Sequence, residues 1–384
     1  MIDFLAIHSG PSRRSLTVQL WTAPADERPA VPGCGACEER PIAVRPMLKP
    51  ALRRLWRDPS TLQLGVDPRR AIVLGGIDPA DLALLDLIDG RHEVTEIADD
   101  AERKGHPRDR TLALLNTLDA ADALDDGDAA PPPDARLAPD LLSLSLVHRG
   151  PGEAPLRLAR RRSAAVEVRG AGRVGATLAR ALNAAGVGHL AVTDDGPVRD
   201  ADLAPGGIRV VGAHVTTRAQ QLRREIDTEP SVVRRADALI VLAPTGGFLP
   251  PEWLATARHQ VHLPVLIRET TASIGPLVLP GSSPCLRCLE LARGERDPVW
   301  PALTAQLVGQ PAGVEPCDVV LAGAAASIAA LHVLAWIEHG DDRPPPSVGG
   351  VFELSLVDLR LRRRTITAHP DCGCGAVGIT EPHP

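Results

Sequence analysis

Residues 166–186 read VEVRGAGRVGATLARALNAAG and restrict the fold more than any other stretch of the chain. Val166 and Val168 end a short apolar run, Gly170-x-Gly172-x-x-Gly175 follows, and an Ala/Leu-rich helical pattern then runs to Gly186. In a strand–turn–helix unit these glycines have separate tasks: a tight turn, close approach of backbone to phosphate, and close packing of helix on strand. The start of the helix adds free N–H groups that face an anion. A second strand pattern, HLAVTDDG, brings in Asp194 about twenty residues past the turn, where an acid accepts a ribose hydroxyl. This order predicts a Rossmann-like α/β unit with Gly170, Gly172, Gly175 and Asp194 as candidate cofactor-binding residues. The motif does not choose among NAD, FAD and ATP. The same glycines also serve helix–sheet packing where no nucleotide binds.

Composition narrows the chemistry. The chain has 384 residues, enough for two or three domains, and a formal net charge of −6. A mildly acidic total argues against nucleic acid or an anionic membrane as the main partner. Lysine occurs only at Lys49 and Lys104, so phosphate chemistry beyond residue 104 has to use arginine. There is no Tyr, with 5 Trp and 3 Phe, which leaves a Leu/Val/Ala core and no stacking platform for single-stranded nucleic acid. MIDFLAIHSG lacks the basic start and long apolar core of a signal peptide, so the expected location is cytoplasmic. Residues 319–337 reach transmembrane length, but they are Ala-rich and contain Ser327 and His332. A buried core helix accounts for them better than a membrane span.

Four regions follow from pattern and punctuation. Residues 1–46 form an arm with little apolar periodicity, read either as disordered or as an extension ahead of a natural start at Met47. Residues 47–126 form a small α+β domain of winged-helix type. In it, TLQLGV and AIVLGG make a hairpin about Asp67-Pro68. Asp78 and Pro79 then cap a helix that Gly90 closes, a second helix ends at Gly105, and a third carries Leu112, Leu115 and Leu118 on one face. Residues 127–140 are an Asp/Ala/Pro linker stiffened by Pro131 to Pro133. Residues 141–384 hold the Rossmann-like domain; the basic run ARRRSAA before Val166 reads as a solvated face.

The seven cysteines sort by spacing. Cys285-Leu-Arg-Cys288 and Cys372-Gly-Cys374 are two knuckles whose four thiolates make a closed tetrahedral zinc site, with Gly373 and Gly375 permitting the second turn. His369 is an alternative ligand. Disulfides are disfavoured in a cytoplasmic protein, so metal binding outranks cross-linking. Cys34 and Cys37 form a pair without a partner pair, and Cys317, just ahead of the apolar helix, reads as a buried structural thiol.

The order of residues after the turn resembles the ThiF/MoeB/HesA superfamily of ubiquitin-activating (E1)-like adenylyltransferases. Gly186, Val187, Gly188, Asp194, Val198 and Leu203 match its pattern in sequence. The resemblance implies ATP at the glycine turn, a zinc that ties the C-terminal segment to the core, and an acceptor cysteine near Cys317. It also exposes departures. The family's Asn falls on Asp202, its Arg finger on Pro205 and its Gln on Gly206; its catalytic Lys falls on Arg218, and its metal-binding Asp near Pro244. Adenylation needs cations and a metal ligand to neutralise the departing pyrophosphate, and proline supplies neither.

A narrower resemblance covers residues 47 to 374. Gly275-Pro276-Leu277-Val278, Pro280-Gly281, Cys285 with Cys288, Arg296-Asp297-Pro298 and Trp300-Pro301 resemble the ThiF-like bacteriocin-biosynthesis cyclodehydratase proteins, which bind precursor leader peptides. In that family a YcaO-type partner runs the ATP-dependent step. The ThiF-like domain is a docking scaffold, and the small domain grips the leader. Asp89-Gly90 and Val94-Thr95-Glu96-Ile97 likewise resemble PqqD, a peptide-recognition element. These resemblances imply a zinc-containing, leader-peptide-binding partner of a YcaO-type protein that has lost adenylation, with homodimerisation possible. The physical mode would be strand addition to the hairpin edge. The alternative is an active adenylyltransferase that uses Arg218 and ATP on a C-terminal carboxylate. An NAD(P) oxidoreductase has only the glycine turn in its favour.

Overall fold

The structure, a computed structural model, describes residues 4–6, 17–20, 42–128, 134–209, 217–229, 232, 235–309 and 314–376. Contacts divide the chain into Met1–Leu158 and Ala159–His383, a division later in the chain than the linker at 127–140.

The first unit contains β1 (Phe4–Ala6), β2 (Thr17–Leu20), β3 (Pro46–Leu48), β4 (Arg54–Asp58), β5 (Thr61–Leu64) and β6 (Ile72–Gly75). Helices α1 (Pro79–Leu87), α2 (Val94–Arg103) and α3 (Arg108–Ala120) follow, then β7 (Leu124–Asp126), α4 (Ala138–Val147) and α5 (Glu153–Ser163), which runs across the division. The expected hairpin forms: β5 pairs antiparallel with β6. It is not a free hairpin, because β4 covers the outer edge of β5 and β2 covers that of β6. Both β1 and β2 come from the expected arm, and the sheet runs β1-β2-β6-β5-β4. Strand β5 alternates, with Leu62 and Leu64 buried and Thr61 and Gln63 half-buried, as a sheet with one covered face requires. Against that face pack Leu84, Leu85, Ile97, Leu114, Leu115 and Leu118. Leu114 takes the core position that the sequence pattern gave to Leu112, which is half-buried.

Asp81 joins α1 to α3 and to the loop before α3. Asp78 caps α1 by accepting from the N–H groups of Ala80 and Asp81 at 2.8 and 2.9 Å, and Asp81 returns the bond to Asp78 N–H at 3.0 Å. Its carboxylate also receives Arg110 through Nε at 3.0 Å and Nη2 at 2.5 Å, and it lies 2.9 Å from His106 Nε2. The side chain is fully buried. Burial alone would raise this carboxyl; the bonds from Arg110, His106 and Asp78 N–H outweigh it and hold it below the usual carboxylate range.

The second unit contains β8 (Ala165–Arg169), α6 (Arg173–Ala184), β9 (His189–Thr193), α7 (Arg218–Arg223), β10 (Leu239–Leu242), α8 (Pro251–Ala257) and β11 (His262–Arg268). Then come β12 (Thr271–Ile274), α9 (Leu286–Arg296), α10 (Trp300–Gly309), α11 (Val319–His339), β13 (Gly350–Ser355) and β14 (Leu361–Thr365). The sheet order is β14-β13-β12-β11-β10-β8-β9: parallel from β9 to β11, antiparallel from β11 to β14. Among the described residues α11 is the one helix long and apolar enough to cross a membrane. Its apolarity has a local reason. Leu321, Ala322, Ala325, Ala326, Ala329, Ala330, Val333 and Leu334 form a buried stripe in one core with α6 and β8. Alanine along the stripe lets helix and neighbours approach closely without aromatic side chains, which are scarce in this composition.

The buried Asp81 network generates a stability prediction. Asp81→Asn leaves Arg110 buried beside a neutral amide, and breaking such a pair costs about 3–5 kcal/mol. The folded-state pKa of Asp81 is depressed, so its contribution is full above the ordinary aspartate value and is lost as pH falls through the folded value. Urea unfolding of the first unit's transition should show a large loss for Asp81→Asn at pH 7, shrinking at acid pH. A loss under about 1 kcal/mol at pH 7 would refute the assignment.

Candidate functional site

Strands β8 and β10 are neighbours, but the chain leaves β8 toward β9 and leaves β10 toward β11. This is a topological switch point, where open α/β sheets form a crevice at the carboxyl ends of their strands. A cavity of about 360 Å³ lies there, walled by Gly172 and Arg173 after β8, Pro244, Thr245 and Gly246 after β10, and residues 314–318 ahead of α11. Arg199, Asp202 and Arg218 complete its polar wall.

The glycines of the turn are fixed by packing. Gly170 has φ +97, and a Cβ there would stand 2.0 Å from the Ala243 carbonyl oxygen. A Cβ on Gly172 would meet Thr245 Cγ2 at 2.6 Å, and one on Gly175 would meet the Gly170 carbonyl oxygen at 1.9 Å. Gly170 and Gly172 are therefore required by the approach to the β10 loop and Gly175 by packing within the turn, whether or not the cavity holds an anion. Gly172 is the N-cap of α6 and faces the cavity.

Asp194 lies at the end of β9 with 7% of its side chain exposed. Its Oδ2 accepts from Ala171 N–H at 2.6 Å and Arg218 Nε at 2.9 Å; its Oδ1 accepts from Gly196 N–H at 2.7 Å and Arg218 Nη2 at 3.0 Å. Four bonds fill the four acceptor positions of a carboxylate. Arg218, at the start of α7, also reaches Asp202 Oδ2 at 3.4 Å through Nη1. Burial would weaken its charge, but the two aspartates overcome this and raise its pKa. The residue expected in the catalytic-lysine role and the residue expected to hold a ribose are thus bonded to each other.

The remaining expected residues divide. Pro244 is in the cavity wall, whereas Pro205 and Gly206 sit on an exposed turn and are not among the lining residues. Arg173 lines the cavity with its guanidinium donating to the carbonyls of Ala201 at 2.6 Å and Cys317 at 2.7 Å. Arg199 lies in the wall and is exposed, and no spacing rule in the sequence singles it out. Cys317 lines the cavity, half-buried, and burial pushes its thiol up, so it is a thiol and not a thiolate near neutral pH.

The four expected zinc ligands converge. Cys285 is the N-cap of α9, and Cys288 is buried in its first turn; Cys372 and Cys374 follow β14. Sγ–Sγ separations are 3.9 Å for Cys285–Cys288, 3.6 Å for Cys285–Cys372 and 3.6 Å for Cys288–Cys374, and all four sulfurs lie within 4.8 Å of one another. A tetrahedral zinc with bonds of about 2.3 Å needs sulfurs about 3.8 Å apart, so the donor set fits such an ion. Without metal the protons are shared unevenly. Burial and the neighbouring thiols push Cys372 up to about 12. At Cys374 burial is outweighed by hydrogen bonds from Ala376 N–H and the other thiols, which bring it to about 7. Gly375 takes φ +74, as expected of the turn, but Gly373 needs no such freedom. His369 is not a ligand: it accepts from Asp371 N–H at 3.1 Å and faces Glu295 at 3.0 Å. Cys34 and Cys37 lie outside the described residues.

No protein-family model matches the chain, and no curated protein matches it by sequence. Solved structures do. E. coli MccB with AMPCPP and MccA is 14% identical with a TM-score of 0.62, covering 86% of this chain and 99% of MccB. E. coli MccB with ATP is 13% identical with a TM-score of 0.61 over the same shares. The heterocyclase TruD is 17% identical with a TM-score of 0.57; the match covers 86% of this chain and 43% of TruD. At these identities the likeness is one of fold: the chain has the E1-like α/β fold of MccB, as the ThiF-type resemblance implied.

The cysteine cluster predicts one zinc per chain by elemental analysis of the protein purified without chelator. Structural zinc contributes about 10–16 kcal/mol of apparent binding free energy. Cys288→Ser should lose the metal and lower Tm by about 10 °C or more, since a domain of this size shifts about 2–4 °C per kcal/mol. Unchanged Tm with no bound metal would exclude a structural zinc.

Proposed function

We propose that this chain is a leader-peptide-binding partner of a YcaO-type cyclodehydratase in the maturation of a bacteriocin-type precursor, and that its ThiF-type cavity no longer adenylates. In this reading residues 47–126 are a winged-helix recognition domain that captures the leader as an added strand. Residues 141–384 are the scaffold that presents the captured peptide, and Cys285, Cys288, Cys372 and Cys374 hold a zinc that ties the C-terminal segment to α9. The fold shared with MccB, solved with MccA, and with the heterocyclase TruD supports the setting.

One observation carries the loss of adenylation: the closed pair of Asp194 and Arg218. Transfer of an adenylyl group to a carboxylate breaks the bond from the α-phosphorus to the bridging oxygen and releases pyrophosphate. Only cations or donors that strengthen their hold on that leaving group in the transition state accelerate the step. Arg218 already makes a two-pronged bond to one aspartate and faces a second, so turning it toward phosphate strands both carboxylates. Arg173 is spent on backbone carbonyls. Pro244 removes the expected metal ligand, and no lysine follows Lys104.

A second reading has its own observation. The cavity occupies the switch-point position with Arg199 exposed in its wall, and MccB of the same fold has been solved with ATP. It makes this chain an active adenylyltransferase on a peptide carboxylate. ATP–pyrophosphate exchange separates the two. With the full chain, Mg²⁺-ATP and candidate precursor peptides, the expected exchange is at blank level, while a precursor binds with micromolar or better affinity. Arg218→Met should leave precursor binding in place and cost about 3–5 kcal/mol of stability through the stranded Asp194. Exchange that Arg218→Met abolishes would establish the adenylyltransferase instead.

A further inference from the structure

We infer that Thr17–Leu20 is a built-in occupant of the sheet edge at which the first unit takes up a peptide, so that capture proceeds by displacing the chain's own strand. This rests on the peptide-capture reading above and adds its regulation. The register is explicit. Strand β6 pairs with β5 on one side and with β2 on the other, Thr17 opposite Gly75, Val18 opposite Leu74, Gln19 opposite Val73 and Leu20 opposite Ile72.

The outer edge of β6 is covered by β2, and the strand's side chains are buried as well. Ile72, Val73 and Leu74 are 1%, 5% and 0% exposed, an unbroken apolar run of the kind found in strands covered on both faces. By contrast β5 alternates, and β4, at the opposite margin, is exposed at all five residues. A strand like β6 left at an edge would present a row of unpaired N–H and C=O groups beside apolar side chains, a template for another chain. The segment that covers it belongs to the arm; residues 21–41, which join it to the rest of the unit, lie outside the described residues. The pairing is therefore non-local in sequence, and its closure cost grows only logarithmically with the length of the connection.

The occupant also describes the ligand. Thr17-Val18-Gln19-Leu20 alternates polar and apolar residues, so the edge accepts an extended peptide with apolar side chains at every second position. A tethered strand competes with a free peptide as though present at high local concentration. The apparent affinity for any incoming peptide is then reduced by the fraction of molecules in which β2 is undocked.

The test uses the full chain and a fluorescent synthetic peptide of its own residues 14–23. Successive N–H groups of a strand point to opposite edges, so Val18→Pro with Gln19→Pro removes one bond to β6 whichever residue donates it. The double variant, with unchanged circular dichroism, should bind the peptide at least about tenfold more tightly than the unmodified chain. Equal affinity, or no binding by the folded variant, would overturn the inference. Should the variant not fold, amide exchange on the unmodified chain decides. Protection at residues 18–20 comparable to that of β5 supports docking, and exchange at unstructured-chain rates refutes it. The probe is the chain's own sequence, so failure here leaves the precursor-binding reading intact. Failure of the precursor to bind likewise leaves strand occupancy intact.

Discussion

A carboxylate enclosed at the end of a parallel strand has to be paired, because an isolated buried charge costs several kcal/mol. Asp194 is paired by two backbone N–H groups and a forked guanidinium, and those partners come from three places in the chain. Ala171 lies in the glycine turn, Gly196 in the loop after β9, and Arg218 opens α7. One side chain therefore fixes the turn, the loop and the helix relative to β9. The tight packing of Gly170 and Gly175 against neighbouring carbonyls completes the same arrangement. The crevice at the switch point owes its shape to this pairing, which also commits Arg218, while Arg199 stays exposed in its wall.

The remainder of the second unit follows from building a large sheet with few aromatic residues. With 3 Phe, 5 Trp and no Tyr in 384 residues, the core is filled by short aliphatic side chains, which demands close approach of backbones. The alanine stripe of α11 against α6 meets that demand. The C-terminal segment has no comparable resource. Strand β14 is exposed at four of its five residues, and beyond it come polar residues, Pro370 and the second cysteine knuckle. Ladder bonds to β13 and four converging sulfurs are what attach this segment, so a metal there is worth most where apolar burial offers least.

What was legible in the sequence was local or carried by rigid spacing. The capping of α1 by Asp78, the turn at Gly170 and the two cysteine knuckles each depend on residues a few positions apart, and the structure reproduces all three. The α/β fold was readable because strand, glycine turn, helix and strand follow one another without interruption. What escaped depends on groups far apart in the chain. Arg110 and Asp81 are 29 positions apart, and Arg218 and Asp194 are 24 apart; neither pair has a spacing rule. Leu112 and Leu114 lie two positions apart on one helix, and only the neighbouring sheet decides which is buried. The pairing of β2 with β6 spans more than fifty positions and was invisible for the same reason. Asp194 is instructive in another way: its partner Arg218 comes from a distant helix, and the partner decides its chemistry.

Activating a peptide and holding one make different energetic demands, and the proposed reading rests on that difference. Activation requires donors and cations that stand ready, because preorganised charge accelerates a reaction only if it need not be released from other bonds first. Around the cavity Arg173 and Arg218 are committed to carbonyls and carboxylates. Strand capture asks for much less: a row of backbone donors and acceptors in register, and apolar pockets at alternate positions. On the proposed reading β6 would supply the first, in the register it shows with β2. Backbone donors and acceptors need no charge reorganised, whereas Arg173 and Arg218 would have to leave existing partners before they could serve a phosphate.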